Sequence, residues 1–206
     1  DGTATAESTL TFDGSTLGAS GNVLVGGHTA PLTTYQSSQT RLSVHKSSGS
    51  GAYLELGGAQ NTNGTSAGTI LFVNDNNADG ANNDADGKIL AMQRVEIVTS
   101  DSNAGDDSGG DLTFNTKPEA GSLTERLRMD SVGQVLPGAD NTQNLGSSSK
   151  RWANIYSADI HCSNKGSSND VDGTWGDFTI QEGESDLFLI NNRSGKKYKF
   201  NLTEVN

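Results

Sequence analysis

The sequence predicts an all-β, elongated fold whose core is completed by other chains. Short apolar bursts alternate with polar residues at period two, and no window sustains a 3.6-residue period. The hydrophobic residues amount to only 32% of 206, while glycine occurs 26 times. So small an apolar fraction is a poor match for the roughly 1–2 kcal/mol of backbone entropy lost per ordered residue. The bursts are separated by Gly/Ser/Asn/Asp tracts. Partial disorder is the alternative, and the strand formers inside the bursts favour assembly.

In chain order, "STLTFDGSTLGASGNVLVGG" (8–27) predicts two short strands, around Leu10–Phe12 and Val23–Val25, with Gly-rich turns. "TRLSVHKS" alternates at Leu42 and Val44. Next come "GAYLELGG" (51–58), "GTILFVND" (68–75), "GKILAMQRVEIVTS" (87–100) and "GDLTFNTK" (110–117). Each is a glycine-led apolar segment followed by a long polar turn, the rhythm of antiparallel hairpins or of a solenoid-like fibre. Their irregular steps argue against a strict solenoid. "SLTERLRMD" (122–130) fits a capping box at Ser122 and Glu125, but its glycine-bounded alternation favours a strand. "LTFDGSTLGASGNVLVGG" is echoed by "LRMDSVGQVLPGAD" (127–140), which suggests a repeated module. From residue 138 the aromatics concentrate, predicting a small core. "DGTWGDFTIQ", "SDLFLINN" and "KKYKFNL" read as three strands, with "NRSG" turning at Gly195. Tyr198, Phe200 and Leu202 are expected inward, Lys197, Lys199 and Asn201 outward.

The net charge of −11 opposes binding to nucleic acid or an anionic membrane surface. The lone Cys162 excludes an intrachain disulfide framework, fits a reducing compartment, and is expected as a small core residue. No apolar run approaches the ~18 residues of a membrane helix, so no membrane insertion is expected. Asp1 stands in a Gly/Thr/Ala run, which predicts no signal peptide and a chain that starts within a longer one.

"LTERLRMDSVGQV" (123–135) closely resembles the "LTERMRIDSSGNVGIGT" signature of bacteriophage tail fibres and tailspikes. "DNTQNLGSSSKRWANIYSADI" (140–160) resembles the "NLGSSS..RW.NIY" segment that often precedes a C-terminal chaperone in such fibres. "ATAESTLTFDGSTL" is also similar to fibre sequence, and the last thirty residues resemble a fibre-end module of cyanophages. The resemblance covers about half the chain. It implies a homotrimer displayed on the virion tail, made in the host cytoplasm, with other tail proteins and a host cell-surface glycan or protein as partners. The chaperone-bearing fibres continue into a helical self-cleaving peptidase with a Ser/Lys pair. Here the residues after Tyr156 read as strands, so self-cleavage is not expected.

The stretch "NDNNADGANNDADG" (74–87) contains Asp75, Asn77, Asp79 and Gly80 in the D-x-[DN]-x-[DN]-G pattern of a calcium loop. Its twelfth position is Asp86, one methylene shorter than the expected Glu, and its flanks read as strands rather than helices. A solvated β-turn is the preferred reading and calcium the alternative cofactor. Residues 75–111 hold nine acids against Lys88 and Arg94. This reads as a solvated loop face, with a surface for a cationic receptor group as the alternative.

No catalytic residue is assigned. Paired carboxylates such as Glu182 and Glu184, or Glu119 and Glu125, are not distinguished from surface acids, so a polysaccharide-degrading tailspike is the disfavoured class. His28, His45 and His161 are scattered, and His161 and Cys162 point to opposite strand faces, an unsuitable zinc pair. Trp152, Trp175 and Tyr198 are receptor-binding candidates, through sugar stacking on exposed rings. For Trp152 and Tyr156 the preferred alternative is burial on a trimer axis or in the C-terminal core.

These readings combine into a homotrimeric fibre segment. Residues 1–45 form an entry module, 46–137 a hairpin-rich shaft or head, and 138–206 a compact C-terminal β module. The expected function is structural and adhesive, with specificity in the variable turns. A connector within the tail machine and a bacterial surface adhesin are the other classes.

Overall fold

The computed structural model describes residues 51–58, 62–74, 88–99, 108–119 and 121–205, together with four strands before residue 45. The all-β class is observed: among the described residues there are thirteen strands and no helical element. The chain divides into two compact units, residues 1–143 and 144–206.

In the first unit, β1 (Leu10–Phe12) and β2 (Leu17–Ala19) form an antiparallel pair. β3 (Val23–Val25) and β4 (Leu42–Val44) pair in parallel. The main sheet is a five-stranded antiparallel meander in sequence order. It contains β5 (Ser66–Val73), β6 (Ile89–Val98), β7 (Gly109–Thr116), β8 (Thr124–Met129) and β9 (Val135–Pro137). "SLTERLRMD" is thus a strand, as its alternation predicts.

The β8–β9 turn shows why the "RMDSVGQV" run folds locally. Asp130 Oδ1 accepts hydrogen bonds from the backbone N–H groups of Val132 and Gln134, at 3.1 and 2.7 Å. Gly133 takes φ +92°, a conformation open to glycine. The echoed N-terminal segment pairs differently. Phe12 lies opposite Leu17, whereas Val23–Val25 pair with β4.

"GAYLELGG" is not a strand: residues 51–58 carry no ladder and are exposed. Their backbone crosses Gly68, where a Cβ would lie 2.6 Å from the Leu56 carbonyl oxygen, so only glycine admits the crossing.

The second unit is a four-stranded antiparallel meander of β10 (Ile160–Ser163), β11 (Asp177–Glu182), β12 (Leu187–Asn191) and β13 (Lys197–Lys199). Gly195 turns at φ +71°, as "NRSG" predicts. The inward row expected for the last strand is only partly formed. β13 stops at Lys199, leaving Phe200 half-buried and Tyr198 and Leu202 exposed.

The expected small core is absent from the described residues, none of whose apolar side chains is buried. The buried residues are polar: Glu96, Asp111, Thr113, Asn115 and Thr179. Cys162, expected as a core residue, is exposed because it lies on edge strand β10.

Candidate functional site

Cross-strand partners project to the same face of a sheet, so the register sorts the five-stranded sheet into two unlike surfaces. One carries the row Thr69–Arg94–Thr113–Arg128 and the adjacent pair Glu96–Asp111. There the Arg128 guanidinium gathers three carboxylates. Its Nη1 donates to Asp111 at 2.6 Å, and its Nη2 to Glu96 at 2.8 Å and Glu125 at 2.6 Å. Its Nε donates to Glu125 at 2.9 Å. The planar fork of arginine suits such multiple capture. These bonds, the one to Glu125 foremost, hold the Arg128 pKa above its ordinary value, with desolvation opposing them.

Arg94 pairs with Glu96 on the same face. Thr113, fully buried in the middle, donates to the Arg94 carbonyl and accepts from the Asn115 amide at 3.2 Å. Asp111 Oδ1 accepts the Ser131 N–H at 2.8 Å, tying the cluster to the β8–β9 turn.

The opposite face carries Ile70 and Phe72 of β5, Val95 of β6, Leu112 and Phe114 of β7, and Leu127 and Met129 of β8. Val135 and Pro137 of β9 extend it. Most of these apolar side chains are exposed. Arg126, at the β7–β8 register shift, marks its margin by donating to Thr116 Oγ1 at 3.3 Å. The carboxylates Glu96 and Asp111 of the first face are thus buried, whereas apolar side chains are exposed on the second face and, at Leu71 and Leu136, on the first as well.

In the second unit, residues 144–156 form no strand. Gly146 turns at φ +89°, and Ser147 and Lys150 exchange backbone hydrogen bonds. Trp152, with Gly146, Lys150 and Arg151, lines a shallow concavity of 330 Å³. Trp152 and Tyr156 are 64% and 94% exposed, so neither fills a core within this chain.

Trp175 is half-buried, with the Arg193 guanidinium 3.8 Å over its ring and Arg193 Nη1 donating to its carbonyl at 2.5 Å. One ring face is thereby occupied. Tyr198 ends an apolar row through Leu189, Ile180 and Ile160 across all four strands. The three receptor-binding candidates thus occupy three different settings.

The β10–β11 connection is a compact polar turn. Asn169 Oδ1 accepts the N–H groups of Val171 and Asp172, and Asp172 Oδ1 accepts the N–H and hydroxyl of Thr174. The Thr174 N–H foremost, with the Asn169 amide and the Thr174 hydroxyl, holds the Asp172 carboxyl below its ordinary range.

The calcium candidates Asp75, Asn77, Asp79 and Asp86 lie outside the described residues, as do His28 and His45. Among the described residues no group of three or more His, Cys, Asp or Glu side chains is arranged to hold a metal. His161 Nδ1 lies 3.0 Å from Thr179 Oγ1. Glu125 belongs to the Arg128 cluster, whereas Glu119, Glu182 and Glu184 are exposed acids. No helix among the described residues is long and apolar enough to cross a membrane.

The Arg128 cluster is a feature that strand-by-strand reading misses. Its signal lies in charges on strands that pair: Arg94 and Glu96, two apart, beside Asp111, beside Glu125 and Arg128, three apart across a register shift. Comparison with known protein families, curated proteins and solved structures finds no match to this chain.

Proposed function

We propose that this chain is a segment of a homotrimeric bacteriophage tail fibre. Its role is structural and adhesive: to hold a host-receptor-binding surface on the virion tail. The observation that carries this reading is the absence of any buried apolar side chain among the described residues of an all-β chain. Two meanders with open apolar rows gain little hydrophobic stabilisation alone and much on association. The resemblance of residues 123–135 and 140–160 to tail-fibre segments supports the viral setting. The host ligand is a cell-surface glycan or protein, met by polar turns and exposed rings such as Trp152 and Tyr198, and three copies add avidity to weak contacts.

Light scattering of the purified chain tests the assembly, with a mass three times 21.5 kDa expected. A monodisperse single-chain mass would refute it. Pull-down on candidate host cells tests adhesion. A trimer that binds virion proteins but no cells would instead be a connector within the tail.

A further inference from the structure

We infer that the concavity lined by Gly146, Lys150, Arg151 and Trp152 is a subsite for an acidic saccharide. The sugar ring stacks on the Trp152 indole, and its carboxylate or phosphate is held by Lys150 and Arg151. The inference rests on the adhesive reading above and names the class of its ligand.

The concavity measures 330 Å³ and is built from one short segment. Its turn closes at Gly146, where φ is +89° and a Cβ would lie 2.9 Å from the Lys150 carbonyl oxygen. Only glycine suits that conformation at so close an approach. The Ser147 N–H donates to the Lys150 carbonyl at 2.8 Å, and the Lys150 N–H donates to Ser147 Oγ at 3.0 Å. The backbone that carries the two cations is thereby fixed before a ligand arrives, which lowers the entropic cost of binding. Trp152 stands beside them, 64% exposed.

Charge and shape together select the ligand. The chain has 25 acids against 14 bases, yet residues 141–158 hold Lys150 and Arg151 and no acid. Among the described residues neither of these cations joins an ion pair, whereas Arg94, Arg128 and Lys199 all do. At physiological salt a surface charge is screened beyond about 8 Å, so an anion in the concavity meets the two local cations more strongly than the distant acids. Arginine takes a carboxylate or a phosphate through two parallel N–H donors. The indole adds a flat apolar face, matched by the flat C–H face of a pyranose. Trp175 lacks this setting, because Arg193 covers its ring.

The test uses the full assembled chain with Trp175→Phe, which leaves Trp152 as its sole tryptophan. The protein is titrated with trigalacturonate, its methyl ester, mannose 6-phosphate and inorganic phosphate, each up to about 10 mM, so that millimolar binding is detected. A saturable change in Trp152 fluorescence is expected with an acidic sugar. Binding is expected to weaken at least about tenfold when Lys150→Gln and Arg151→Gln are combined, and when the methyl ester replaces the acid. Lys165→Gln removes an exposed charge outside the concavity and is expected to leave the affinity unchanged.

No response to either acidic sugar overturns the inference, as does equal affinity for the methyl ester. Inorganic phosphate bound as tightly as the sugars also overturns it, because the concavity is then a general anion contact. So does a Trp152 that acrylamide fails to quench in the assembled chain, because its ring is then covered by another copy. Each of these leaves the fibre reading intact, which the mass and the host-cell pull-down decide. A sugar response in a chain that binds no host cell overturns the adhesive reading and leaves the subsite standing.

Discussion

Glu96 and Asp111 lie directly opposite each other across β6 and β7, two buried carboxylates in one cross-strand pair. Like charges in that position repel. Arg128, from β8, reaches both, 2.8 Å from Glu96 and 2.6 Å from Asp111. One guanidinium thereby bonds three adjacent strands through their side chains and disfavours a slip of register, which would place these charges on the apolar face.

Removal of Arg128 is therefore expected to destabilise the sheet strongly. Arg128→Ala leaves Asp111 without a cationic partner and facing Glu96, which keeps only Arg94, at a cost of about 3 kcal/mol. Arg128→Lys keeps the charge but loses the fork, at about 1–2 kcal/mol. Denaturant unfolding of the assembled protein checks both. Equal midpoints for Arg128→Ala and the unsubstituted chain would contradict the role.

Gly138 has a steric requirement. A Cβ there would lie 2.1 Å from the Glu125 carbonyl oxygen, and the Gly138 N–H donates to the Arg126 carbonyl at 3.0 Å. Gly138→Ala is expected to cost about 1–3 kcal/mol by forcing β9 away from β8. Faster amide exchange at Val135 and Leu136 would register the separation.

Arg193 over Trp175 contributes about 0.5–1 kcal/mol as a cation–π contact in an exposed setting. Arg193→Ala is expected to lower the melting temperature slightly and to shift the Trp175 fluorescence to the red. A Trp152→Phe background isolates that signal.

The turn at Asn169–Thr174 is expected to loosen in acid. Asp172 has a folded pKa below its ordinary 3.8. The stabilisation is thus present above pH ~3.8 and is lost as pH falls through the lower folded value. Protonation deprives the Thr174 N–H and hydroxyl of their charged acceptor. Asp172→Asn should abolish the change in Thr174 amide exchange across that window, leaving the rest of the sheet's profile unaltered.

Calorimetric titration with Ca²⁺ is expected to give neither heat nor a melting shift, in keeping with the turn reading of residues 74–87. Saturable heat removed by Asp79→Asn would favour the calcium loop instead.

Much of the strand pattern was legible. Period-two alternation located β5 to β8 and the last three strands, because a half-buried strand repeats its chemistry every second residue. "GAYLELGG" misled for the same reason: Tyr53, Leu54 and Leu56 are strand formers, but their segment finds no ladder partner. Trp152, Trp175 and Tyr198 were recognisable as aromatics in a polar setting, yet only coordinates separate an open ring from one covered by Arg193.

Alternation and composition together implied an all-β chain too poor in apolar residues to enclose its own core, because both are local or additive properties of the residues. That Glu96, Asp111, Glu125 and Arg128 converge on one face depends on the register of β6, β7 and β8. That register is a property of pairing at long sequence separation. Tertiary structure therefore decided which carboxylates are buried beside Arg128 and which apolar side chains stay exposed.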